Sequence, residues 1–281
     1  MSSADTRPTK ELFRLWRSGD AQAGQAMAQR FADWYYAISV SRLGERAGRE
    51  PCERSCAKFG EGVVAQTDFR EARKWSHGLI IEQLSGRGAR ALDGDEPSPF
   101  TGGQKPKDLL VRCRKALPDE ISLVELVYRG GDAEQIATLA AKGGGMPLGV
   151  LRARYAVKRW LKDNAKVPFE IVPESPNLDH APLPLYESGR MGSANEEATF
   201  EQWMLDHLDL CRDIAEFSHF AIAFRGGLPA AAGAPPSGPK TEPAPAAPGG
   251  AGMAAAGGVA LVGGGLALLA LIVLVLYMYV L

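Results

Sequence analysis

The sequence is poor in the residues that most often carry chemistry. It holds four cysteines and four histidines in 281 residues. Cys52, Cys56, Cys113 and Cys211 fall at uneven spacing, which fits reduced thiols better than a disulfide framework. Cys52 and Cys56 lie four apart, one helical turn, rather than in the C-x-x-C spacing of a redox pair. The histidines at 77, 180, 207 and 219 show no ligand spacing apart from His207 and Cys211 at i and i+4. Gly143-Gly144-Gly145 has no strand before it and no Lys-Ser/Thr after it, so it is not a phosphate loop. No nucleophile has a base that the sequence points to, and the chain reads as a non-enzyme. Residues 1–30 lack an apolar h-region, so no export signal is expected there.

Charge is missing from the C-terminal part. Between Gly226 and Ala256 the composition falls to Ala, Gly and Pro, with Lys240 and Glu242 as the only charges. So little apolar surface cannot offset chain entropy, and residues 226–256 read as a linker. Residues 257–281 follow, and the 23 from Val259 to Leu281 include nothing more polar than Tyr277 and Tyr279. At about 1.5 Å rise per residue this stretch crosses a hydrocarbon layer of roughly 30 Å. The expectation is one transmembrane helix acting as a tail anchor in the cell inner membrane. Basic residues lie only on its N-terminal side, which favours a cytoplasmic body. Ala256, Ala260 and Gly264 form a small-xxx-small series that would suit a homodimer within the bilayer.

Upstream, charge is divided sharply. Residues 105–166 carry 13 basic and 7 acidic side chains, while 167–225 carry 3 basic and 11 acidic. The expected fold class is mainly α: two small helical modules, the second helix-turn-helix-like, then an acidic helix. The expected boundaries are 9–92, 107–166 and 167–225. Thr9 is expected to cap a first helix that the Ser18-Gly19-Asp20 break ends, and an aromatic stripe from Met27 to Ile38 marks a second. Residues 50–90 read as further helix without clear bounds, and Asp93 to Pro106 as a loop. Pro118 suits the first helical position, and Gly130-Gly131 stop that helix. Asp132 can cap a short helix over 133–141, and the glycine turn leads into a long basic helix over 148–162. An acidic helix is expected to carry Glu196 through Glu216.

On the basic helix, Arg152, Arg154, Lys158, Arg159 and Lys162 cluster over three turns. Leu148, Leu151, Tyr155 and Leu161 face the other way, flanked by Val150 and Val157. That division suits a helix whose apolar side packs inward while its basic side meets phosphates or base edges of duplex DNA. A solvated basic face is the plain alternative.

Leu117-Pro118, Gly130-Gly131, Glu134-Gln135-Ile136-Ala137 and the run from Pro147 to Arg154 resemble region 4 of the extracytoplasmic-function sigma factors. The resemblance implies a module that reads promoter DNA, here with a turn about three residues longer at Ala141–Gly145. Leu12 to Ala21 and the aromatic helix to Gly44 resemble region 2 of the same family, which implies RNA polymerase as a partner. The family's Asp-Leu-x-Gln-Glu docking helix has no match, since Arg49 to Phe59 stands in its place. Tyr186 to Met191 and His207-Leu208-Asp209-Leu210-Cys211 resemble the zinc-binding anti-sigma domain, with Ile214 where its last Cys belongs. The resemblance implies a zinc site using His207, Cys211 and His180, three ligands where a structural site normally has four; the expectation for cofactors is therefore none. Two functions follow. One is a membrane-tethered, sigma-factor-like regulator of transcription, restrained by its acidic segment. The other is an inner-membrane adaptor or scaffold that keeps a sigma-like helical fold and binds protein.

Overall fold

The computed structural model describes residues 5–85, 87 and 96–226. The linker and the expected transmembrane helix, with its small-residue series, lie outside the described residues. Among those residues no helix is long and apolar enough to cross a membrane. The described part is mainly helical, with eleven α-helices and no strands.

They run in the order α1 (Thr9–Arg17), α2 (Ala21–Leu43), α3 (Glu45–Gly62), α4 (Phe69–Leu84), α5 (Pro106–Ala116), α6 (Pro118–Arg129), α7 (Ala133–Ala141), α8 (Leu148–Ala165), α9 (Leu183–Ser188), α10 (Ala194–Met204) and α11 (Leu208–Phe224). Local sequence explains most of the bounds. Asp20 caps α2 through the amides of Gln22 and Ala23, and Asp132 caps α7 through those of Glu134 and Gln135. Pro118 opens α6, and Gly130 ends it in the left-handed region at φ 76°. Thr9 is not the cap of α1: Pro8 holds that place, and the Thr9 hydroxyl accepts from Arg30 Nη1 at 3.0 Å inside the fold. The segment read as helix over 50–90 is two helices, broken after Gly62 and restarted by Asp68 accepting from the Glu71 amide. The single acidic helix expected across Glu196–Glu216 is likewise two, α10 and α11, separated at Leu205–His207.

Two apolar cores meet along α8 and α11. The first gathers Leu12 of α1, Phe31, Trp34 and Ile38 of α2, Phe59 of α3 and Ile80 of α4. The second gathers Leu109 and Cys113 of α5, Val124 and Val127 of α6, and Val157 and Leu161 of α8. α11 belongs to both, with Leu210, Cys211 and Ile214 in the first and Phe217, Phe220 and Phe224 in the second. α8 is shared in the same way: Leu151 and Tyr155 join the first core, Val150, Ala153, Val157 and Leu161 the second. α2 is 23 residues long and buried on nearly every side, the pattern of a central helix.

Candidate functional site

A helix of the shape of α8 has one row of residues between its two apolar faces. At about 100° per residue, Arg154 and Lys158 fall in that row. Both side chains are fully buried, at 0% exposure. Neither can remain there as a bare cation, because burying an unpaired charge is far costlier than pairing it. α9 and α11 supply the partners. Arg154 donates to Glu187 from Nε at 2.7 Å and from Nη2 at 2.6 Å, a bidentate pair. Its Nη1 reaches both carboxylate oxygens of Asp213 at 3.0 Å. Lys158 Nζ donates to Asp213 at 2.5 Å and to Glu216 at 2.8 Å.

The remaining valences are met as well. The Tyr128 hydroxyl donates to Glu187, and Glu216 Oε1 accepts the Glu170 amide at 2.9 Å. The Arg154 guanidinium stands 4.3 Å above the Phe217 ring, and Lys158 Nζ 4.7 Å above that of Phe169. Burial alone would push the Asp213 carboxyl up, but Arg154 and Lys158 beside it hold it below the usual range. Two cations and three carboxylates thus form one hydrogen-bonded unit between α8, α9 and α11.

This corrects the sequence reading of α8. Arg154 and Lys158, expected on a phosphate-facing side, point into the protein. Of the other three, Arg152 and Arg159 are exposed and Lys162 half-buried. Arg152 Nη1 donates to the Gly143 carbonyl at 2.5 Å, and Arg159 Nη2 to those of Pro173 and Glu174 at 2.8 and 3.0 Å. α7 and α8 are joined by the glycine turn, and α8 buries the face that holds Arg154 and Lys158 while Arg152 and Arg159 stay at its surface. One signal was available in the sequence: on a helical wheel Arg154 and Lys158 lie between Leu151 and Tyr155 on one side and Val150, Val157 and Leu161 on the other.

Two further buried carboxylates, missed by the sequence reading, tie the same fold. Glu201 of α10 takes Arg42 at 2.5 Å, His77 at 2.6 Å and the Tyr186 hydroxyl at 2.9 Å. Burial opposes its ionisation, but the His77 hydrogen bond and Arg42 hold its carboxyl low. Glu45 of α3 meets His219 at 2.8 Å, Arg49 and the Ser98 hydroxyl. Against the push of burial, His219 and Arg49 bring it down to about 2.

The three zinc ligands suggested by sequence are not gathered. The Cys211 thiol donates to the Met204 carbonyl at 3.3 Å, and burial raises it well above the usual thiol range. The His207 ring packs on Trp203 at 3.9 Å between centroids, while His180 faces the Tyr155 hydroxyl at 3.4 Å. Among the described residues no group of three or more His, Cys, Asp or Glu side chains is placed to hold a metal ion. No family model, curated protein or solved structure matches the chain.

Proposed function

We propose that the chain is a membrane-anchored helical adaptor whose body binds protein at the inner membrane rather than reading duplex DNA. The reading is carried by one observation: two of the five basic side chains expected to meet DNA, Arg154 and Lys158, are taken up in internal ion pairs. DNA affinity is dominated by Lys and Arg neutralising phosphates, and a buried cation neutralises none. The polymerase-docking motif is also missing between Gly44 and Phe59. The anchor is supported by the uncharged apolar run from Val259 to Leu281 and the Ala/Pro/Gly stretch before it.

The test has two arms on the full chain. Binding to a labelled duplex should be weak and should not change in an Arg152→Ala/Arg159→Ala double variant. A photo-cross-linking residue placed at exposed Thr138 of α7 should give one discrete protein adduct in the membrane fraction. Tight, salt-steep duplex binding that those two substitutions weaken would restore the transcriptional reading. Recovery of the chain from the soluble fraction would remove the anchor.

A further inference from the structure

The charge imbalance seen in the sequence is resolved unequally by the fold. Five of the eleven acids in 167–225 are buried: Glu187, Glu197, Glu201, Asp213 and Glu216. They meet Arg42, His77, Arg154 and Lys158, none of which belongs to α5. Residues 105–116, which hold α5, carry five basic side chains against one acid, Asp108. The basic excess of this part of the chain therefore remains at the surface on α5.

Its arrangement is specific. Pro106, Leu109, Leu110 and Cys113 bury one side of α5. Val111 sits near the middle of the opposite side and is 52% exposed, a large apolar residue left in solvent. At about 100° per residue, Lys115 and Asp108 lie beside it, Lys107 and Arg114 along one flank, and Lys105 and Arg112 along the other. On one flank Arg114 pairs with Glu125, which also takes Arg129 at 3.7 Å. Arg129 Nε donates to the Phe224 carbonyl at 2.9 Å, at the last residue of α11. The flank thus runs by direct contacts to the place where the described chain stops, at Gly226.

We infer that this outward face of α5 rests on the anionic headgroups of the lipid bilayer to which the tail is anchored. The inference rests on the membrane-anchored reading of residues 257–281. Basic residues flanking a lone apolar one suit a headgroup layer, where cations meet phosphates and the Val reaches the acyl boundary. The chain leaves the body at the end of this flank, so the tether holds the face near the membrane and raises its effective concentration there.

The test uses the full chain with Val111→Cys carrying an environment-sensitive fluorophore. The four native cysteines are buried, so label goes to position 111. The protein is reconstituted in phosphatidylcholine vesicles, with or without phosphatidylglycerol, containing a headgroup-attached quencher. Quenching is expected in anionic vesicles at about 0.01 M salt and should vanish near 1 M, as the screening length falls from about 30 to about 3 Å. Lys105→Gln and Lys115→Gln should each lower the docked-to-free ratio about fivefold. Equal quenching in both lipids, or none that these substitutions alter, overturns the inference.

Flotation of the same samples separates it from the anchor. A chain that floats with both vesicle types yet shows no anionic quenching refutes the face and keeps the anchor. One that floats only with anionic vesicles at low salt keeps the face and refutes the anchor. Floating with neither refutes both. If the label instead responds to short duplex DNA in neutral micelles and not to anionic lipid, the face belongs to nucleic acid and the inference is overturned.

Discussion

Replacing Arg154 with Met is the most informative single perturbation of this protein. The wild-type unit balances two cations against three carboxylates, with Tyr128 and the amides of 170 and 171 donating to the surplus. Without Arg154, one cation faces Glu187, Asp213 and Glu216, and two bidentate or forked pairs are lost at once. Breaking a buried pair by removing one partner costs about 3–5 kcal/mol. Asp213→Asn removes a carboxylate from the surplus side and leaves Arg154 with Glu187 and Lys158 with Glu216, so its cost should be smaller, about 1–3 kcal/mol. Arg152→Ala, on the exposed face, should stay within about 0.5 kcal/mol. With a urea slope of about 3 kcal/mol per molar, Arg154→Met should lower the midpoint by roughly 1 to 2 M.

Tryptophan fluorescence of the full chain in micelles reads this directly, because all five tryptophans lie in described residues. The penalty should also shrink at acidic pH, since Asp213, held low in the wild type by Arg154 and Lys158, takes up a proton more readily once Arg154 is gone. If Arg154→Met unfolds within about 0.5 kcal/mol of wild type, or no worse than Arg152→Ala, then Arg154 is not the buried partner described above.

Acid should weaken the body. Glu45, Glu201 and Asp213 are held below their ordinary values, so the stability they contribute is present above the ordinary carboxylate pKa and lost as pH falls; for Glu45 the window runs from 4.5 to about 2. A melting temperature that stays flat across that window would contradict the pairing. The four thiols should resist a bulky thiol reagent until the chain is unfolded, and burial pushes Cys113 up to about 12; rapid reaction of any thiol in the native state counts against the packing. Gly149→Ala would place a methyl 2.3 Å from the Ala140 carbonyl and should cost about 1–3 kcal/mol, whereas Gly78→Ala on α4 meets nothing within 4 Å and should stabilise by about 0.5–1 kcal/mol. Equal urea midpoints for the two variants would refute the contact between α7 and α8.

The helices were more legible than their partners. Asp132, Ala133 and Ala141 mark α7 without help from the rest of the chain, and the Met27–Ile38 stripe marks α2, because caps and periodicity are local. The sequence reading passed over α5, whose start at Pro106 falls at the edge of a loop rich in turn residues. The break inside the acidic helix was hidden too, since Leu205 to His207 contains neither Gly nor Pro. The site was least legible. Arg154 and Asp213 stand 59 residues apart, and nothing local to either tells a solvated cation from a buried one. Region-4-like spacing reinforced the outward reading, although the apolar residues on both sides of Arg154 and Lys158 argued for the inward one.

The end of α11 has a mechanical consequence. Arg225, the residue after its last turn, is buried; burial pulls its guanidinium down only to about 10, so it stays charged at neutral pH. It donates to the Ser41 carbonyl of α2 at 3.1 Å and the Glu187 carbonyl of α9 at 2.8 Å. Tension applied to the chain beyond Gly226 therefore meets this latch before the last turn of α11 can unwind. Part of the load passes through that latch to α2 and α9, and part along the chain into α11, the helix shared by both cores. Unravelling the body from that end thus requires the withdrawal of Arg225 from between two carbonyls.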